Sequence, residues 1–174
     1  ARGHGNSSRR VVVLEGAPDG DRLWSLLRGT FAELPVLSGR VRRDWSLCPY
    51  WQPGAPPGEV PLGVTELPGG GFDEAFSEIQ AHAQRPFQAP SAHLHVQVVK
   101  YAGGRSLLGL HFDHRLLDAF GAELFLELLA RRDLGRGQDI LERIELREPA
   151  HLDHWVRRFV GGRSKSEGSR APAA

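Results

Sequence analysis

The residues best suited to chemistry stand together in Phe112-Asp113-His114-Arg115-Leu116-Leu117-Asp118. A histidine here is bracketed by an aspartate and an arginine, and a second aspartate follows four positions later. An imidazole can act as general base near neutral pH, because its unperturbed pKa lies close to the working pH. The apolar alternation of Leu108, Leu110 and Phe112 predicts a strand that ends at this point. The run from Ala119 to Arg132 predicts an amphipathic helix, with Asp118 as its N-cap. His114 is therefore expected where a strand gives way to a loop, a place where reactive side chains tend to gather on rigid scaffolds.

The elements needed to hold that loop can be read outward from it. Ala92–Tyr101 alternates, with Leu94, Val96 and Val98 on one face and His93, His95 and Gln97 on the other. Gly103-Gly104 between the two alternating runs predicts a hairpin. Phe72–Gln84 has helical spacing, and Val60–Leu67 is expected to be a strand. Arg10–Glu15 is a β-branched run that predicts a buried strand, and Asp21–Leu34 a helix capped by Asp19. In that helix Leu23, Trp24, Leu27, Phe31 and Leu34 should share a face, with Pro35 helping to end it. Residues 36–44 are expected to form a short strand interrupted by glycine. Cys48 to Pro61 is rich in proline and glycine, and an excursion without regular structure is expected there. In the helix after Asp118, Phe120, Leu124 and Leu128 with Phe125 and Leu129 should form the apolar side, and Glu127 and Arg131 an i,i+4 pair. A further helix is expected over about Pro149–Val160.

Composition excludes several function classes. The 174 residues suffice for one domain with a real core, and 40% hydrophobic with 25% charged residues fits an ordinary globular chain. A net charge of +1 gives no field to recruit nucleic acid. No apolar run reaches the roughly 20 residues needed to span a bilayer, and no secretory leader is visible. The single Cys48 rules out an internal disulfide and fits a reducing, cytoplasmic setting. The chain starts at Ala1 and has no methionine, so a processed product or a piece of a longer polypeptide is expected. The organisation expected is a loose arm over 1–9, one domain over 10–160 and a disordered tail or linker over 161–174.

The remaining chemistry-bearing residues carry weaker signals. His93-x-His95 and His151-x-x-His154 each place two imidazoles close together, but neither pair has an obvious third ligand, so no metal is expected and solvent-facing side chains are. Trp45, Tyr50 and Trp51 flank the proline-rich loop and are expected to anchor it on the core. Gly69-Gly70-Gly71 lacks the lysine and hydroxyl residue of a phosphate loop. Ser46 has no nucleophile-elbow context, and Cys48 no adjacent base in sequence.

The Asp-His-Arg-x-x-Asp pattern resembles the His-His-x-x-x-Asp-Gly motif of the chloramphenicol acetyltransferase-like superfamily, which includes condensation domains, wax ester synthase-like acyltransferases and dihydrolipoamide acyltransferases. Three more segments resemble it in the same order. They are Leu23–Arg42 with its Pro-x-Leu and Gly-Arg, Arg85-Pro-Phe-Gln-Ala-Pro90, and the hairpin His93–Leu110. Asp113 stands where the commonest form has its first histidine, although dihydrolipoamide acyltransferases also carry Asp-His-Arg. Ala119 stands where a glycine usually follows the aspartate, and a glycine comes later, at Gly121.

The resemblance implies an α/β two-layer sandwich, with a mixed, largely antiparallel sheet and helices mainly on one face. It implies acyl transfer, with His114 as general base for attack of a hydroxyl, amine or thiol on an acyl thioester. Asp118 would be mainly structural, and Asp113, Arg115 and Gly121 would support the motif. Arg115 either pairs with Asp118 or faces solvent. No tightly bound cofactor is implied; acyl-CoA or a phosphopantetheine thioester on an acyl carrier protein would be co-substrate. The motif lies mid-chain, as in the N-terminal half of a two-unit enzyme. A second acyltransferase-like half or a homo-oligomer is thus an expected partner, beside a small-molecule acyl acceptor. The alternatives are a degenerate binding or assembly module and a dihydrolipoamide acyltransferase-like enzyme.

Overall fold

The computed structural model describes residues 7–87 and 92–135. The helix expected over 149–160, the pair His151 and His154, and the tail over 161–174 lie outside the described residues. A four-stranded sheet runs in the order β1 (Ser7–Leu14), β6 (Arg105–Asp113), β5 (Leu94–Tyr101), β4 (Leu62–Leu67). β1 pairs with β6 and β6 with β5 in antiparallel fashion, whereas β4 runs parallel to β5. A parallel neighbour requires a crossover, and helix α2 (Phe72–Ala83) supplies it between β4 and β5. The β5–β6 hairpin turns through Gly103 and Gly104, both at positive φ (80° and 68°), where a side chain would be strained.

Alternation in β5 and β6 divides the core. Leu94, Val96, Val98, Leu108, Leu110 and Phe112 pack against Leu23, Leu27 and Phe31 of α1 (Gly20–Glu33) and against Ala122, Phe125, Leu128 and Leu129 of α3 (Ala119–Asp133). On the other face Val99, Tyr101 and Leu107 meet Ala75 and Ile79 of α2. Two helices thus cover one face and one covers the other. The α2 crossing is close: a Cβ at Gly109 would lie 2.7 Å from Ile79 Cγ2. No described helix is long and apolar enough to cross a membrane.

Several expectations shift by local physics. β1 begins at Ser7, so residues 7–9 are paired with β6 and are no loose arm. Pro35–Ser38 is a 3-10 turn, because Pro35 is well tolerated at a helical first position; the strand over this region is only β2 (Arg40–Arg43). The proline-rich stretch is not wholly irregular, since β3 (Pro49–Gln52) pairs with β2. The tip of that hairpin is organised by the Asp44 carboxylate, which accepts from Ser46 N at 2.9 Å, Ser46 Oγ at 2.7 Å and Cys48 N at 2.8 Å. Trp24 and Phe120 do not join the core: they are 39% and 61% exposed. The Glu127–Arg131 pair forms as expected, at 2.6 Å.

Candidate functional site

The site is built on the exit of β6. Asp113 is the last residue of that strand, and it is buried while its neighbours His114 and Arg115 are exposed. The Asp113 carboxylate collects donors from both sides. Arg115 N donates to Oδ1 at 2.9 Å, and Arg115 Nε lies 3.0 Å from each oxygen, with a further contact from its Nη2. From inside the fold His93 Nδ1 meets Oδ2 at 3.2 Å. Burial pushes this carboxyl up, but hydrogen bonds from the Arg115 side chain and backbone and from His93, with the Arg115 charge, hold it below the usual carboxylate range. The same bond to Asp113 raises Arg115. Arg115 therefore pairs with Asp113, and not with Asp118 or with solvent alone. The two are only two residues apart and the carboxylate is already fixed in place.

The Asp113 main chain also shapes the turn. Its carbonyl accepts from Leu116 N at 2.9 Å and Leu117 N at 3.1 Å, and its N–H donates to the His93 carbonyl at 2.8 Å. His114 sits inside this turn, its ring 6.0 Å from that of Phe112 in an edge arrangement. Asp118 then caps α3: its Oδ1 accepts from Gly121 N at 2.7 Å. A Cβ at Gly121 would lie 3.2 Å from that same oxygen, so the glycine lets the cap close tightly. Ala119 is exposed at the first turn of the helix. All five motif residues thus lie on one short path from sheet to helix.

The histidines and tryptophans behave differently from the sequence expectation. His93 and His95 are not solvent-facing, because the polar face of β5 is covered. His93 is only 6% exposed, and the Trp51 ring stands against it at 4.8 Å. Trp51 anchors its hairpin, donating from Nε1 to the Val36 carbonyl at 2.9 Å, but Trp45 is 97% exposed and anchors nothing. His95 pairs across the hairpin with His111, stacks on His82 of α2 at 4.1 Å, and has been pushed down to about 4. Burial is the main cause, joined by the charges of His82, His111 and Arg85. His111, stacked on Phe87 at 4.5 Å, is lowered by burial and then by His82 and Arg9. His82 is lowered by burial and by Arg85, against a smaller raising effect of Glu78. Stacked rings do not converge their nitrogens on one point, and no cluster fit to hold a metal occurs among the described residues. The sequence did not point to this partly buried cluster, although the alternation of His93, His95 and Gln97 was its visible trace.

No protein-family model and no curated protein matches the chain. Solved structures do. The chain is similar to the first condensation domain of the calcium-dependent antibiotic synthetase in complex with a substrate analogue: 27% identity, TM-score 0.66, covering 78% of this chain and 34% of that one. The starter condensation domain of the rhizomide synthetase is similar at 18% identity and TM-score 0.57, over 73% of this chain and 30% of that one. A structure described as the basis for condensation domain-mediated chain release from the enacyloxin polyketide synthase has 23% identity and TM-score 0.55, over 90% of this chain and 33% of that one. The chain spans about a third of the length of the solved structures it matches. Its mixed sheet and helices share the fold of the matched third of these condensation domains.

Proposed function

We propose that this chain is the histidine-bearing part of an acyltransferase that works on thioesters of carrier proteins. The observation that supports it most is the placement of His114: an exposed imidazole held in a turn between a buried, doubly gripped carboxylate and a capped helix. In this reading His114 takes the proton of an acceptor hydroxyl, amine or thiol as that atom attacks the acyl carbonyl. The new acyl bond forms, the C–S bond breaks, and the thiol leaves on the phosphopantetheine arm after receiving the proton. Asp113, Arg115, Asp118 and Gly121 hold the turn and do not touch the reacting atoms. The similarity to condensation domains favours a carrier-bound donor over free acyl-CoA. Because this chain matches only about a third of each of those structures, a second acyltransferase-like part, or a second copy of this chain, would complete the channel. The unit proposed is one domain over residues 10–160, with its first strand reaching back to Ser7, in a cytoplasmic setting.

The test is thioester consumption by the chain together with its second part, offered acyl-phosphopantetheinyl carrier protein or acyl-CoA. His114→Ala should lower turnover roughly 10²- to 10⁴-fold with the fold intact by circular dichroism. Unchanged turnover in that variant removes the general-base reading. A wild type that binds the acyl carrier but transfers nothing makes the chain a binding module.

A further inference from the structure

The geometry points to His93 as a positioning residue for His114, acting through its Nδ1 bond to the Asp113 carboxylate; this rests on the acyl-transfer reading above. His93 is outside the motif and 20 residues away in sequence. The β5–β6 register brings it opposite Asp113, one step beyond the Leu94–Phe112 pair. The two residues clasp each other twice, by main chain at 2.8 Å and by side chain at 3.2 Å.

The direction of dependence follows from what each group has as partner. Asp113 Oδ1 accepts from the Arg115 N–H two residues on, so the carboxylate's rotation sets the start of the turn that contains His114. Arg115 grips the carboxylate from the outside, and its side chain is 53% exposed. His93 is the inner wall: its side chain is 7% exposed, and its ring is backed by Trp51. Its Nε2 is buried with no hydrogen-bond partner among the described residues, so the ring's one polar engagement is with Asp113. An ionised carboxylate only accepts, so Nδ1 carries the hydrogen of this contact. Trp51 is in turn tied to the Val36 carbonyl, and the small β2–β3 hairpin thereby braces the histidine turn through three side chains.

The experiment compares three variants chosen by atom position. In His93→Asn the amide nitrogen falls where Nδ1 stood; in His93→Gln the amide lies one bond farther, nearer the place of Nε2; His93→Leu has no donor. Two readouts are taken on the full chain: the His114 ring resonances by NMR, and kcat against KM in the carrier-thioester assay. Asn should keep the His114 resonances at wild-type positions, while Gln and Leu displace them. Leu should lose about 10- to 100-fold in kcat, as for a misplaced base, with KM little changed, and Asn should recover most of it. Equal effects of Asn and Gln, or wild-type resonances in His93→Leu, overturn the proposal in favour of simple packing. If Leu does not fold, the Asn and Gln pair still decides. If the wild type shows no transfer at all, the resonances still report on positioning, so the two readings fail separately.

Discussion

The Arg115 guanidinium lies against the Asp113 carboxylate, with Nε 3.0 Å from both oxygens, on the residue that ends β6. Sequence alone left Arg115 either paired with Asp118 or facing solvent, and the structure pairs it with Asp113 instead. That carboxylate is 4% exposed. Asp118 is left as an exposed helix cap.

The two aspartates should therefore respond differently to the same change. Asp113→Ala leaves the buried His93 Nδ1 without an acceptor and removes the anchor of the turn, for a loss of about 2–3 kcal/mol in urea unfolding. Asp118→Asn should cost only a few tenths of a kcal/mol, because asparagine caps as well as aspartate, while Asp118→Ala should cost about 1 kcal/mol. Equal losses for Asp113→Ala and Asp118→Ala would contradict this assignment.

Gly39 is a second point of leverage on the site. A Cβ there would lie 2.1 Å from Trp51 Nε1 and 2.8 Å from the Gln52 carbonyl oxygen. Gly39→Ala should push the indole off the Val36 carbonyl and cost about 1–3 kcal/mol, as overpacking does. Because Trp51 backs His93, the variant should also shift the His93 ring resonances. Unshifted resonances would mean the brace is slack.

Acid should destabilise the α2 face before it touches the Asp113 pair. His82, His95 and His111 all have folded pKa values below the ordinary histidine value, so the fold binds their protons less readily than the unfolded chain does. Their stabilising effect is complete above about 6.5 and is lost progressively as pH falls toward about 4, the value for His95. Asp113, lowered from 3.8, acts only below that window. The groups around the cluster are mostly cationic: Arg9 and Arg85 oppose protonation, and Glu78 alone favours it. The urea midpoint should drop between pH 7 and pH 4.5, and His95→Phe should flatten that drop. A midpoint that stays level over this range would sink the idea.

Ala119 offers a test of the motif's departure from its commonest form. Ala119 is exposed in this chain, so Ala119→Gly should relieve little here. The expected cost is at most about 1 kcal/mol, the helix-propensity difference between the two residues. A gain in thioester turnover in the assembled protein would show that the methyl obstructs the channel.

Much of the scaffold was determined by local sequence. Alternation in 94–101 and 105–113 with Gly103-Gly104 between them defines the hairpin, and periodicity with Asp19 and Asp118 as caps defines α1 and α3 within a residue or so. Those signals are local because a strand period, a helix period and a cap each involve neighbours only a few residues apart. The motif's order in the chain likewise placed His114 at a strand exit. What only the tertiary structure decided is the set of contacts between distant residues. The pairing of Asp113 with His93, the Trp51 ring behind it, and the burial of His82, His95 and His111 together all depend on strand register and on α2 crossing over the sheet. A polar alternating face looks the same in sequence whether it meets water or a helix. Its burial here follows from the parallel β4–β5 pairing, which obliges the chain to cross over the sheet, and α2 makes that crossing over the histidines.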